Sequence, residues 1–399
     1  MDPITHGIAG ALIGKGFFSR RHVRVPIVAA TLGAVFPDVD IIAIQFSRDP
    51  LALQRYHRGF THSFIGLPVF AFALAWLTRL FLVWRARRRG EQDHTLPSLA
   101  LLFGVYAAGI ASHILLDTTT SFGTRLWNPF SRARVAWDFL FIIDFTFTSL
   151  LLLPQVAAWI FKERRGWLAR ASAMWVLFTA LAVCVWWLSR AADFAFSLRA
   201  VIVASLIFAA VFILPARKDR GIRLGRARWC QAGLSLACIY VALCSFAHDA
   251  ALLRVRAFAS SNGLAVENLG AIPLPPSLLE WNGLILTRDG VYQSQFSIRD
   301  VAAPEFHFFA NSPPNRFTQA AAQLEPVRTY LWYARFPVMN FAVINGENVV
   351  EYIDLRYYTG SGHATPFAFS VFLDSQGRII EPLGRVRWFP RSVPAGAAK

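Results

Sequence analysis

The sequence predicts an all-α polytopic membrane bundle of about seven to eight transmembrane helices, followed by a small α+β extracytoplasmic domain. Three observations lead there. Hydrophobic residues make up 55% of the 399-residue chain and charged residues only 16%, against about 25% in ordinary soluble domains. Long apolar runs alternate with short basic connections up to Leu253. Beyond Leu253 polar residues, Pro and Gly rise, and no run is long enough to span a bilayer. This balance excludes simple disorder, collagen and coiled coil. The expected units are residues 1–253, the transmembrane helical domain, and residues 254–399, an α+β domain with enough chain for its own core.

The apolar runs are 25–44, 63–84, 97–116, 137–161, 171–189, 198–215 and 230–252. Each is long enough, or nearly so, to cross about 30 Å of hydrocarbon. A shorter stretch rich in Gly and Ala, Ile4 to Ser19, precedes them and reads as a short helix packed within the bundle. A cleaved signal peptide would need basic residues ahead of its apolar part. Here Arg20 and Arg21 follow it, so cleavage is not expected.

The net charge of +16 would suit nucleic acid if it lay on one face. It does not. Basic residues gather in alternate connections: Lys15 to Arg24, Arg79 to Arg89, Lys162 to Arg170 and Arg217 to Arg228 hold nineteen, against eight in the intervening ones. That alternation is the positive-inside pattern, so no nucleic-acid partner is expected. The rich loops are assigned to the cytoplasm, which puts residues 254–399 outside. Cys184, Cys230, Cys238 and Cys244 all lie in apolar runs, so neither a disulfide framework nor a CxxC metal site is on offer.

In the C-terminal part, 284–288 and 291–298 flank Asp289-Gly290 as a hairpin. Residues 341–344 and 349–358 flank Asn345-Gly346 as a second, and 367–373 with 378–380 read as a third. Residues 316–333 look helical, and 272–276 look like a stiff linker or an edge element. His307 and His363 stand alone and read as surface or packing residues.

The chemistry-bearing residues lie in the apolar half. Within 140 residues come Thr5-His6-Gly7, Phe36-Pro37-Asp38-Val39-Asp40, Tyr56-His57-Arg58-Gly59-Phe60-Thr61-His62-Ser63, and Ser112-His113 through Asp117, then Asp138 and Asp144. Ionisable residues are expensive in a membrane and mark function by default. His113 and Asp117 are four apart, so one helical face presents both. Pro37 loosens its helix and can aim Asp38. His57 is read as a loop residue, and His62 as lying in the first turn of a helix that Thr61 caps. In the orientation set by Arg and Lys alone, His6, Asp38, Asp40, His57, His62, His113, Asp117 and Asp138 all fall at outer helix ends. Groups distant in sequence thus meet at one depth. His and carboxylate together suit zinc, and manganese or iron less well. Taken singly, Asp40 and Asp138 have an ordinary explanation as solvated interfacial residues. Asp144 could orient a liganding imidazole, or pair with a buried Arg or a backbone donor.

At these residues a family resemblance appears. MDPITHGIAGALIG, FPDVD, YHRGFTHS and ASHILLDTTTSFGTRLWNPFS resemble the LexA-regulated inner-membrane proteins classed as membrane-bound metal-dependent hydrolases. The resemblance covers roughly residues 1–160 and includes a fainter similarity to zinc-dependent phospholipase C. It implies a multi-pass protein of the bacterial inner membrane; with the orientation read from the basic loops, the C-terminal domain is then expected in the periplasm. It also implies a divalent metal, most readily Zn2+, held by His6, Asp38, His57, His62, His113 and Asp117. Asp40, Asp138 and Asp144 are then catalytic or supporting groups, and Arg58 or Arg125 clamps an anionic substrate group. The expected activity is hydrolysis of a phosphoester or ester of a lipid or lipid-linked substrate. The alternative is a non-enzymatic scaffold, or a metal- or proton-sensing or transport-related protein using the same cluster. No Gly-rich phosphate loop, GxSxG or HExxH occurs.

Overall fold

A computed structural model describes residues 1–18, 24–90, 96–191, 197–217, 224–358 and 367–380. Arg20, Arg21, Lys218, Arg220, Arg223 and His363 lie outside the described residues. Helix α1 (Pro3–Ile13) starts where the Asp2 carboxylate accepts from the Thr5 backbone N–H at 2.9 Å, with Pro3 opening the first turn. Helix α2 (Val25–Val35), a 3-10 turn (Phe36–Asp38) and α3 (Val39–Gln45) form one apolar stretch of 21 residues. The turn falls on Pro37, which has no N–H to continue the helical ladder. After α4 (Ala52–Tyr56) come α5 (Gly66–Arg89), α6 (Leu99–Thr118), α7 (Phe145–Ile160), α8 (Trp167–Ala191), α9 (Leu198–Phe208), α10 (Leu214–Arg217) and α11 (Arg226–Ser261).

Among the described residues, five segments are long and apolar enough to cross a membrane: Val25–Gln45, Gly66–Arg89, Leu99–Thr118, Trp167–Trp187 and Arg226–Ser261. The runs expected at 137–161 and 198–215 are helical too, but their apolar helices, Phe145–Ile160 and Val201–Ala216, are shorter. Residues 137–144 are excluded from α7 because Asp144 caps it, accepting from the Phe147 N–H at 2.9 Å. Phe72, Trp76, Leu80 and Trp84 on α5, with Leu177 and Leu181 on α8, are exposed. Such apolar faces fit contact with lipid.

Small residues set the spacing inside the bundle. A Cβ on Gly10 would meet the Ala30 carbonyl oxygen at 2.5 Å, and one on Gly109 would meet the same oxygen at 2.6 Å. Helix α2 is therefore gripped between α1 and α6 at close backbone approach, as membrane helices with small residues permit. Along α11, Cys230, Gly233, Ala237, Tyr240, Cys244, Ala247, Ala251, Val255 and Ala259 are buried, a stripe at steps of three and four. A helix of 36 residues is about 54 Å long, well beyond the hydrocarbon thickness. The expected boundary at 253/254 falls inside α11. Its end seeds the C-terminal core, where Ala251, Val255 and Ala259 pack with Ala271, Trp281, Ile285 and Phe296.

Among the described residues, the C-terminal part holds two antiparallel sheets. Strands β1 (Val266–Leu274), β2 (Glu280–Thr287), β3 (Gly290–Ser297) and β4 (His307–Ala310) are ordered in sequence. Strands β5 (Pro337–Ile344), β6 (Glu347–Asp354) and β7 (Phe369–Leu373) form the second sheet. The segment expected as a linker or edge is partly strand: Ile272 to Leu274 end the edge strand β1, where Pro273 is tolerated. The β5–β6 turn, Asn345-Gly346, has φ of 52° and 83°, the twist that a two-residue hairpin needs. The helix expected over 316–333 is two, α12 (Arg316–Gln323) and α13 (Glu325–Tyr333), separated at extended Leu324 and restarted with Pro326 in the first turn. Residues 378–380 contribute an isolated bridge, Leu373 to Ile379, instead of a third full hairpin.

Candidate metal centre

The glycine-spaced crossing of α2 and α6 sets the first half of the site. It brings the Ala34 carbonyl 2.6 Å from His113 Nδ1. A carbonyl only accepts, so Nδ1 carries a proton, and Nε2 is the ring nitrogen that faces inward. Asp117, one turn further along α6, faces the same point. Asp38 reaches it from the 3-10 turn that ends α2.

The second half comes from the segment between α4 and α5. His62 lies in a 3-10 turn, Phe60–His62, rather than in the first turn of α5. The cap expected of Thr61 is made by Ser63, whose Oγ accepts from the Gly66 N–H at 2.8 Å. Thr61 serves the site instead. Its hydroxyl donates to Asp40 Oδ2 at 3.2 Å and lies 2.9 Å from His62 Nδ1, so it accepts the imidazole proton. His62 Nε2 thus also points inward as an acceptor. Burial holds the His62 imidazole down to about 4, so it is neutral near pH 7.

Four ligand atoms now converge. His62 Nε2 is 3.0 Å from His113 Nε2, 3.3 Å from Asp38 Oδ1 and 3.4 Å from Asp117 Oδ2. His113 Nε2 is 3.5 Å from Asp38 Oδ1 and 3.4 Å from Asp117 Oδ2. A tetrahedron of metal–ligand bonds of about 2.0–2.1 Å has edges of about 3.3–3.4 Å. Asp117 Oδ2 is buried and lacks a hydrogen bond of good geometry. Acceptors crowded around one point repel unless a cation lies between them. Asp38, His62, His113 and Asp117 therefore fit a metal ion.

The other expected residues divide. His6 stacks on His113 at 3.7 Å, and its Nε2 is 3.2 Å from Asp117 Oδ1, which also accepts from the Met1 ammonium. His6 supports the ligands and lies outside the convergent four. His57 joins Asp40 and His62 in an adjoining group, its Nδ1 2.9 Å from Asp40 Oδ1. Arg58 is buried behind Asp117, with Nε 2.9 Å from Oδ2 and Nη1 donating to the Asp117 carbonyl at 3.1 Å and to Thr120 at 2.8 Å. It faces a carboxylate, not open space. Arg125 lies over the same turn, donating from Nη2 to the Tyr56 carbonyl at 3.1 Å.

Asp138 and Asp144 are not brought to the cluster. Asp138 accepts both hydrogen bonds of Arg335 Nη1, at 2.8 and 3.0 Å. Asp144 caps α7 and accepts from Tyr240 at 2.9 Å and from Ser277. Both tie the bundle to the C-terminal part, whose residues sequence reasoning left without a role. Those residues also form the roof. Tyr333 packs on Phe122 at 5.1 Å, Arg134 lies over both rings, and buried Arg356 donates to the Ser121 carbonyl at 2.6 Å. Pairings across 200 residues leave no local signal to read.

Fold and site define a multi-pass membrane protein with a buried His/Asp cluster that can hold a metal ion. The family model for the YdjM inner membrane protein matches residues 1–192, which include every member of that cluster. Neither a curated protein nor a solved structure matches the chain.

Proposed function

We propose that this chain is a membrane-bound metal-dependent hydrolase. It acts at the outer face of the inner membrane on a phosphoester or ester of a lipid or lipid-linked substrate. The convergence of four ligand atoms, with His62 Nε2 and His113 Nε2 each 3.0–3.5 Å from the other three, carries the reading. Asp38, His62, His113 and Asp117 would hold a divalent cation, with Zn2+ best suited to two imidazoles and two carboxylates. Bound there, the cation supplies Lewis acidity and acidifies water for attack on phosphorus or carbonyl carbon.

The protein's own groups complete the chemistry. His6, His62, His113 and Asp117 are closed off, whereas the Asp38, Asp40 and His57 side chains are 9%, 14% and 10% exposed. Substrate therefore approaches along that edge. Asp40 accepts from His57 Nδ1, which leaves Nε2 to take a proton from attacking water and return it to the leaving oxygen. Arg58 pairs with Asp117 and holds it in place.

Metal analysis of the purified protein, with a screen of lipid phosphates and esters, tests this. His113→Ala and Asp117→Ala should lose metal and hydrolysis together while still inserting. His307→Ala, exposed at the start of strand β4, should keep both. Full metal content and activity in Asp117→Ala would overturn the assignment. Stoichiometric metal without hydrolysis would favour the sensing or transport alternative.

A further inference from the structure

Beside the metal centre, at the seam between the bundle and α13, lies a cleft of about 470 Å³ lined by Arg55, Arg125, Arg132 and Arg328. Only Arg55 is neutralised, by Asp49 at 3.0 Å and Glu325 at 2.8 Å. No carboxylate among the described residues pairs with the other three. Arg328 donates to the Gln323 amide oxygen at 2.6 Å, and Arg132 is exposed. Arg125 is only 8% exposed and its Nε has no hydrogen-bond partner. A buried guanidinium with an orphaned N–H is costly unless an acceptor arrives. Three unmatched guanidinium groups in one cleft call for a ligand with several anionic oxygens, for which phosphate is the natural fit.

The position narrows the ligand further. Tyr56 and Trp332 line the cleft and are exposed, as are Trp127 and Phe130 on the loop that carries Arg125 and Arg132. Exposed aromatics clustered around basic residues mark the headgroup level of a membrane. The cleft floor is also the turn that bears His57: the Arg125 N–H donates to the Arg58 carbonyl at 3.1 Å, and its Nη2 to the Tyr56 carbonyl.

We infer that this cleft binds a phosphate group and seats the headgroup end of the substrate beside the His57 edge of the metal centre. The second half of that statement rests on the hydrolase reading, and the first half does not. The full-length protein in detergent would be titrated with inorganic phosphate, dihexanoyl phosphatidic acid and dihexanoylglycerol, using tryptophan fluorescence. Wild type should bind phosphatidic acid, and the Arg132→Gln/Arg328→Gln double variant should bind it about tenfold or more weakly. Both residues are exposed, so folding should survive, and unchanged metal content would verify that. Arg125→Gln should weaken binding at least as much. If inorganic phosphate also binds and is also lost in the variants, the cleft reads the phosphate alone. If only phosphatidic acid binds, the source is a lipid headgroup. Equal affinity in wild type and double variant, or dihexanoylglycerol binding as tightly as phosphatidic acid, would overturn the proposal. Phosphate binding without hydrolysis of any substrate keeps the cleft and sinks the hydrolase.

Discussion

Asp38 and Asp40 are two residues apart, yet the structure gives them different partners. Asp38 points at the two imidazole nitrogens, while Asp40 accepts from His57, from Thr61 and from the Arg58 N–H at 3.2 Å. Asp40 thus fixes the turn that presents His62, without lying among the four convergent atoms. Groups that orient a ligand in this way typically contribute about 10–100-fold to metal affinity. Asp40→Asn is therefore expected to weaken zinc binding by that factor, measured by competition with a chromophoric chelator, and not to abolish it. Unchanged affinity would remove Asp40 from the site. At this scale the sequence was informative where spacing alone places a side chain. His113 and Asp117 share a helical face by periodicity. Asp138 and Asp144 look equally exceptional in an apolar context, but their partners, Arg335, Ser277 and Tyr240, are far along the chain and no spacing rule names them.

At the scale of elements, the candidate metal centre depends on how closely two helices cross. His113 is oriented by the Ala34 carbonyl only because Gly109 lets α6 lie against α2. A single Cβ at 109 would sit 2.6 Å from the Ala30 oxygen and 2.9 Å from the Ala34 nitrogen, both backbone atoms that cannot rotate away. Gly109→Ala should cost about 1–3 kcal/mol and should also weaken metal retention, since α2 carries Ala34 and leads into the turn that bears Asp38. A thermal melt with and without chelator checks both parts, and a variant indistinguishable from wild type would show that the crossing has slack. Helix positions were legible because apolar runs of twenty residues are unambiguous. Their ends were less so. The run 137–161 reads as continuous, but Asp144 caps the helix within it, and Asp138 holds a positive φ of 56°. Hydropathy does not register a cap.

Across the whole molecule, the orientation argued from the basic loops remains the largest expectation open to direct test. Reporter fusions after Lys399 and at Arg226 should report opposite sides of the membrane, the former outside. Cytoplasmic signals from both would remove the outward-facing site along with the topology. What composition could not reveal is that the two halves are not beads on a string. One helix, α11, serves both cores, and the chain between α6 and α7 is clasped from the C-terminal side by Arg335, Ser277 and Arg356.

That clasp has a thermodynamic corollary. The connection that Arg356 and Arg335 hold begins at Thr119, next to the α6 turn that carries His113 and Asp117. If an effector binds the C-terminal part better when the clasp is closed, and closure favours the liganded arrangement of the centre, each equilibrium shifts the other by the same factor. Metal occupancy would then be readable at the C-terminal part as a change in effector affinity, and the effector's concentration readable at the cluster as a change in metal affinity.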